Sequence, residues 1–430
     1  MNYSQDKLDL LPIFTKMLND PNQDTWRIQG PPGCGKTTFI KLLVNHYLAV
    51  NKMQTIIDPT TEQRTSSNIF LTATTNKAVS VINEEVTQPL ASEHGLITTK
   101  TIYKLLELKV FNDFRTGATR VSRPQTAQSP IFPKNSLIII DEASYIDWRM
   151  WKFITTDLLG LGLKVIFIGD FYQSVPVGSN MSPIFDPAIP SSALTERHRY
   201  PVGSAIHTNS LLCEKAIDTG KGGKLAFDDT LVKVTSAELP ALIQEHFIDN
   251  QHNARIVAYT NLVVMNYNQE IGQKLYGNDF FNKDQQVIFN DFYIFGRVTV
   301  PNESLATVVN VQKPFLHGEY GIECARVTVD LNTTKQRLVV IVPVSYKQFR
   351  ELLNDCASGK NWKKYFELKE DIVDLRPSWA VTSHKSQGST YDYTIVDFND
   401  LKTINVLSNF YRMFNVAITR SRIKTYIVKD

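Results

Sequence analysis

The chain has 430 residues, 43% of them apolar and 21% charged, with a net charge of +3. That length suits roughly two to four domains, and the composition is that of packed cores rather than a disordered polyelectrolyte. The slight basic excess permits a polyanionic partner without implying one. Four scattered cysteines, Cys34, Cys213, Cys324 and Cys356, argue against a disulfide framework or a Cys-x-x-Cys zinc site. No apolar run reaches the length of a membrane span, and the polar start lacks a signal-peptide core, so a cytoplasmic chain without membrane contact is expected.

Trp26–Gln29 reads as a buried strand leading into Gly30-Pro-Pro-Gly-Cys-Gly-Lys-Thr-Thr38, which fits G-x-x-x-x-G-K-[ST]. Helical pattern follows over 36–50. In a strand–loop–helix context the glycines let backbone N–H groups close around a phosphate, and the helix N-terminus adds favourable partial charge. Gly30, Pro31, Pro32, Gly33, Cys34, Gly35, Lys36, Thr37 and Thr38 are therefore candidate nucleotide contacts. Lys36 is placed to reach the β- and γ-phosphates, and the Thr37 hydroxyl to hold Mg²⁺.

Further strands are expected at 69–73, 137–141 and 165–169, helices at 76–86 and 148–159, and a polar surface loop at 58–68. Such alternation argues for a parallel sheet covered by helices. Residues 109–132 break the pattern, and 110–121 read as a β-hairpin inserted between helix and strand. Its Phe111 and Phe114 either wedge a duplex junction or pack the hairpin base. Ile138-Ile139-Ile140-Asp141-Glu142 is an apolar strand ending in two carboxylates, at the edge where a parallel sheet faces its ligand. Asp141 suits water-mediated Mg²⁺ binding, and Glu142 suits acceptance of a proton from an attacking water. Trp148 and Trp151, at i and i+3, read as one packed helix face, with a base-stacking platform as the alternative. Val165–Gln173 repeats the strand logic, with Gln173 placed to contact γ-phosphate and water.

A second α/β block starts near 195, with a strand at 254–259 and a helix near 262–275. Residues 280–345 are β-rich, and 346–370 carry helical pattern with Trp362, Tyr365 and Phe366 on one face. Parallel-sheet pattern returns at 393–398 and 424–428, so this block is split in sequence and continuous in space.

These ordered motifs resemble those of the superfamily 1 helicases, most closely the RecD/Dda-like group that moves 5′→3′ on single-stranded DNA, with the phage Dda type nearest. Gly30–Thr38 looks like motif I, Leu71–Ala78 like the strand-touching motif Ia, and Thr101-Ile102-Tyr103 like motif Ib. Asp141–Ser144 resembles motif II, Gly169–Gln173 motif III, and Leu194–Arg199 motif IV, whose last arginine reaches the γ-phosphate. Val381–Ser389 is similar to motif V, with Gly388 as an implied nucleotide contact, and Val416–Arg422 to motif VI, with Arg420 in the arginine-finger place. Gln5 takes the position of an adenine-reading glutamine. Thr74, Asn76 and Asn415 depart from residues common in the family.

The resemblance implies an α/β fold of two RecA-like parallel-sheet motor domains. Domain 1 spans 1–190 with the hairpin at about 109–132, domain 2 spans 191–278 and 376–430, and 279–375 form a β-rich, SH3-like insertion with a helical arm. It implies ATP and Mg²⁺ as cofactors, and Lys36, Glu142, Gln173, Arg199 and Arg420 as catalytic residues. It also implies a monomer on single-stranded DNA and at single-strand/duplex junctions, working beside replication or recombination proteins. Thr74, Thr75, Asn76, Thr101, Tyr103, Phe111, Phe114, Thr382, His384 and Lys385 are the implied DNA contacts. A γ-phosphoryl group in transfer needs charge from several directions. Lys36 and Mg²⁺ belong to the first block and both arginines to the second, so ATP is expected between the blocks. An RNA-directed helicase, an ATP-gated binding switch and a protein-stripping translocase remain as rivals.

Overall fold

The computed structural model describes residues 3–52, 69–93, 97–124, 129–133, 136–176, 181–278, 280–296 and 298–430. The expected loop at 58–68 lies outside the described residues. The chain divides into two compact units. The first comprises Met1–Lys109, Arg123–Thr230 and Ile404–Thr419, and the second Val110–Ser122, Leu231–Thr403 and Arg420–Asp430. All four cysteines are free and buried. Among the described residues no helix is long and apolar enough to cross a membrane.

Two short helices, α1 (Gln5–Leu8) and α2 (Leu11–Asn19), precede β1 (Thr25–Gln29), and α3 (Lys36–Lys52) follows the phosphate loop. Next come β2 (Ile69–Ala73), α4 (Asn76–Ile82), β3 (Ile97–Thr101) and α5 (Ile102–Leu105). β4 (Lys109–Asn112) and β5 (Thr119–Ser122) form a hairpin. β6 (Leu137–Asp141), α6 (Trp148–Asp157), β7 (Lys164–Gly169), β8 (Ser191–Ala193) and α7 (Ala205–Thr219) complete this stretch. Six strands make a wholly parallel sheet in the order β3-β2-β6-β7-β1-β8. Every residue of β2 and β6 is buried, as expected of strands covered on both faces. Phe14 of α2 stacks on Trp26 at 6.2 Å, and Phe39 of α3 meets the same indole edge-on at 6.5 Å, which anchors the helices flanking the loop.

The second unit begins with β9 (Leu231–Val234), α8 (Leu239–Ile243), β10 (Ala254–Ala258) and α9 (Asn261–Tyr276). Its β-rich part holds β11 (Gln286–Phe289), β12 (Tyr293–Phe295), β13 (Val298–Val300), β14 (Leu305–Val311), β15 (Phe315–Leu316), β16 (Glu323–Leu331) and β17 (Arg337–Pro343). Helices α10 (Tyr346–Ser358) and α11 (Trp362–Asp371) follow as an arm. The chain returns through β18 (Leu375–Pro377), β19 (Ala380–Thr382), α12 (Ser383–Ser386), β20 (Tyr391–Asp397), α13 (Phe398–Leu401), α14 (Leu407–Ile418) and β21 (Ser421–Val428). β19, β10, β20, β21 and β9 form a parallel sheet in that order, so strands more than a hundred residues apart pair directly. The β-rich part is an antiparallel sheet in the order β15-β16-β14-β11-β18, with β17 paired to β16.

Three features differ from the sequence expectation, and the expected helical arm over 346–370 is present. Residues 191–193 belong to the first sheet, because β8 pairs with β1, and α7 and α14 also fall in the first unit. The helix expected over 76–86 ends at Ile82 and relaxes into a π-helical turn, Asn83–Thr87. The arm is two helices, broken where Lys360 adopts φ +54° and Asn361 caps α11 by accepting from the Lys364 N–H at 3.3 Å. The hairpin groups with the second unit, since Phe114 sits edge-on to Phe366 at 5.7 Å and Gly117 lies beneath Trp362.

Gly117 has φ +71°, and a Cβ there would meet the Trp362 ring at 2.4 Å. Gly117→Ala is therefore expected to lift the hairpin from the arm at a local cost on the order of 1–3 kcal/mol. A red shift of Trp362 emission, isolated by difference against Trp362→Phe, with little change in the unfolding midpoint, checks it.

Candidate active site

The phosphate loop leaves the carboxyl end of β1 in the middle of the first sheet. Gly33 and Gly35 adopt φ +79° and +77°, which only glycine takes without strain. Residues 198–200 brace the loop. The His198 N–H donates to Gly33 O at 2.8 Å, and the Tyr200 hydroxyl donates to Pro32 O at 3.3 Å. A Cβ on Gly33 would strike Arg199 Cβ at 2.6 Å. Half-buried Lys36 donates to Gly30 O at 2.9 Å and more weakly to Pro31 O at 3.5 Å. Burial opposes its charge, but Cys34, Asp170, Glu142 and Asp141 together hold the ammonium above its usual range. Burial also pushes the Cys34 thiol up. Thr37 lies in the first turn of α3 and Thr38 is exposed.

Asp141 ends β6, two strands from the loop in the sheet order. Its carboxyl is buried and accepts from the Glu142 N–H at 2.8 Å. Burial and the neighbouring Glu142 push it up to about 7. Glu142 itself adopts φ +49°, a left-handed conformation that costs a non-glycine residue on the order of 1–3 kcal/mol. Thr74 Oγ1 donates to Glu142 O at 3.2 Å and ties this turn to the end of β2. Asp170, just past β7, is buried and accepts from Gln173 Nε2 at 2.7 Å and the Tyr172 N–H at 2.9 Å. Burial raises its carboxyl above the usual range. The Gln173 carbonyl accepts from Arg412 of α14 at 3.1 Å, and Arg412 also lies over the Phe171 ring at 4.9 Å.

The arginines separate. Arg199 belongs to the first unit, with the loop, rather than to the second. Its Nη1 donates to Thr419 O at 2.9 Å. Its sequence neighbour Arg197 is bound to Glu214 and to Ser210 Oγ at 2.7 Å, a structural role. Arg420 is buried in the second unit, and its carbonyl accepts from the Tyr391 N–H at 3.0 Å. Gly388 is an exposed turn glycine with φ +73°. Gln5 is exposed and donates to Asp9 Oδ1 at 2.7 Å, whereas its neighbour Lys7 is buried against the loop.

The candidate DNA contacts of the first unit cluster at two adjacent strand ends, where Ala73 of β2 pairs with Thr101 of β3. Thr75 caps α4 and Thr101 caps α5, accepting from Ala78 N and Lys104 N at 3.2 and 3.3 Å. Thr74 and Asn76 flank the first cap, and Tyr103 lies in α5, where burial raises its phenol. In the second unit Thr382 caps α12, accepting from Lys385 N at 3.4 Å. His384 is exposed, 6.2 Å from the Tyr259 ring. Lys385 donates to both the backbone and side-chain carbonyls of Asn290 and so fastens α12 to the β-rich part. Phe111 is exposed on β4, and Phe114 packs on the arm rather than the hairpin base. Trp148 and Trp151 do not share a packed face: Trp151 meets Phe167 at 5.6 Å, while Trp148, the first residue of α6, is 63% exposed.

Sequence reasoning missed Lys7 and Arg412. The available signal for Arg412 was a charge inside the otherwise apolar run Tyr411-Arg412-Met413-Phe414.

Mg²⁺ fits the residues present. The Thr37 hydroxyl and the Asp141 carboxyl are hard oxygen donors, and a cation would relieve the buried Asp141–Glu142 repulsion. A phosphate-cradling loop with an ammonium, paired acids on a nearby strand and a polar sensor beside them define a P-loop nucleoside triphosphatase.

Two family models match the chain, an AAA domain over residues 17–179 and a UvrD-like helicase C-terminal domain over 377–428. The chain is 24% identical to an uncharacterized protein of Acanthamoeba polyphaga mimivirus, over 90% of this chain and 92% of that one. It is 22% identical to the RecD subunit of the RecBCD enzyme of Buchnera aphidicola subsp. Schizaphis graminum, over 94% of this chain and 70% of that one. Its fold is similar to a solved structure of Pif1 helicases at forked DNA, with 15% identity, a TM-score of 0.53, and coverage of 100% and 92% of the two chains. The chain is thus similar to UvrD-like superfamily 1 helicases in two matched segments and to Pif1 helicases in fold, and it is an NTP-driven enzyme.

Asp141 titrates near 7 when folded and at 3.8 ordinarily, so between those values the folded state binds more protons than the unfolded one. Stability of the nucleotide-free protein therefore falls as pH rises through that window. Asp141→Asn is expected to raise the unfolding free energy at pH 8 by an amount on the order of a few kcal/mol, seen as a higher thermal midpoint. The gain should vanish toward pH 4, and thermal unfolding across pH measures it.

Proposed function

We propose that this chain is an ATP-dependent DNA helicase and translocase of the RecD/Dda-like branch, moving 5′→3′ on single-stranded DNA. The single observation that carries the reading is the Thr74 Oγ1 bond to the Glu142 carbonyl. It joins a residue of the strand-contact motif to the turn that bears the hydrolytic carboxylate, so polymer binding and hydrolysis share one backbone turn. The RecD relative and the forked-DNA helicases support the choice of DNA as the polymer.

In this reading the loop N–H groups and Lys36 hold the phosphates, and the Glu142 carboxylate takes the proton of the attacking water. Thr37 and Asp141 would hold Mg²⁺, which would supply charge neutralisation to the triphosphate. Gln173, fixed by Asp170, orients the water and meets the γ-phosphate. Arg199 and Arg420 bring guanidinium charge to the developing phosphoryl oxygens. Thr75, Asn76, Thr101, Tyr103, Thr382 and His384 contact the strand through hydroxyl, amide and ring donors. Phe111 offers an exposed ring at a junction.

Lys36→Ala is expected to abolish ATP hydrolysis with Mg²⁺ and single-stranded DNA present, and unchanged turnover would end the assignment. Arg420→Ala should keep nucleotide binding while turnover falls about 10³–10⁵-fold, as for arginine fingers in related chemistry. Unwinding of duplexes with a 5′ or a 3′ tail reads polarity, with separation expected only from the 5′ tail. RNA-stimulated turnover without DNA stimulation would favour the RNA-directed rival, and turnover without strand separation the switch or the protein-stripping translocase.

A further inference from the structure

The hydrolytic set leaves one buried cation at the phosphate loop unused. Lys7 of α1 is only 2% exposed. Its ammonium donates to Ser4 Oγ at 2.6 Å and lies 3.4 Å from His198 Nε2, which accepts in the Nδ1–H tautomer. Asp6 Oδ1 stands 3.7 Å away, beyond hydrogen-bond distance. That carboxylate is already engaged, accepting from the Thr195 and Glu196 N–H groups at 2.9 and 3.0 Å and from the Ser4 hydroxyl at 2.7 Å. Asp6 is thus its ion-pair partner without a direct hydrogen bond, which leaves the ammonium able to take a closer anion. The loop is the site built to receive one. A Cβ on Gly35 would lie 3.3 Å from Lys7 Cε, 3.5 Å from Lys7 Nζ and 3.6 Å from Thr38 Oγ1.

We propose that Lys7, set against the phosphate loop at Gly35, is a second cationic ligand of the bound nucleotide. The inference rests on the nucleotide-binding reading above. An ammonium has three donors and no acceptor. It can bond phosphate oxygens, or the N7 and O6 acceptors of a purine, but it cannot accept from the adenine amino group. Lys7 therefore adds affinity without selecting adenine, and the site takes GTP as well as ATP.

The test uses the full chain with Mg²⁺ and compares wild type with Lys7→Met, an apolar replacement of similar length. Steady-state hydrolysis of ATP and GTP should show KM raised about tenfold for both, as for loss of one charged contact, with kcat little changed. Thermal stabilisation by inorganic tripolyphosphate locates the contact. Loss of that stabilisation assigns Lys7 to the phosphates, and its retention beside raised KM assigns it to the base edge. Unchanged KM in a variant with the wild-type unfolding midpoint overturns the proposal, as does a wild-type enzyme that hydrolyses ATP and rejects GTP. Should Lys7→Met fail to fold, Lys7→Gln, which also loses the charge, carries the same expectation. A wild-type protein that binds no triphosphate would instead sink the nucleotide reading itself.

Discussion

The first unit is organised around one ammonium set among three carboxyl groups. Lys36 is held charged by Asp141, Glu142 and Asp170, while burial pushes Asp141 and Asp170 toward the neutral form. These opposing tendencies make a site whose charge is balanced for a further anion and cation rather than for itself. The parallel sheet creates the arrangement. With β1, β6 and β7 running the same way, the loop, the paired acids and the Asp170 turn all emerge at one edge. Gly169 at that edge has no Cβ, and one there would stand 2.9 Å from the Ser144 N–H, so a larger residue would displace the acidic turn.

Hydrogen bonds radiate from this edge through backbone groups. Thr74 reaches the Glu142 carbonyl, Arg412 the Gln173 carbonyl, and Arg199 the Thr419 carbonyl. Asn415 accepts from Ser210 Oγ at 2.8 Å and donates to Tyr172 O at 3.4 Å. Helix α14 is thus fastened to the sensor turn by Arg412 and Asn415. In the second unit Lys385 plays a comparable part, joining α12 to the β-rich sheet through Asn290. Phe114 and Gly117 seat the hairpin on α11.

The strands around the site were readable because a doubly covered parallel sheet demands unbroken apolar runs, as in Leu137–Ile140 and Val165–Ile168. The loop, Asp141, Glu142 and Gln173 were readable because phosphate chemistry requires those groups within a few residues of a strand end. The hairpin's allegiance was not readable, since Phe114 and Phe366 lie some 250 positions apart and neither marks the other. Trp148 and Trp151 misled for the opposite reason. Their spacing is helical, but Trp148 opens α6 beyond the reach of the sheet.

Local spacing alone specified a triphosphate cradle, its acids and the alternation of strand and helix, because each depends on groups close together along the chain. Which side chains complete the cradle depended on distant segments meeting. Lys7 and His198 are 191 positions apart, and Arg412 and Gln173 are 239 apart. Gln5 carried the more suggestive residue type, yet the turn of α1 aims it at Asp9 and solvent and turns Lys7 inward. In a helix, neighbours two residues apart face different ways, and packing against the loop chose between them.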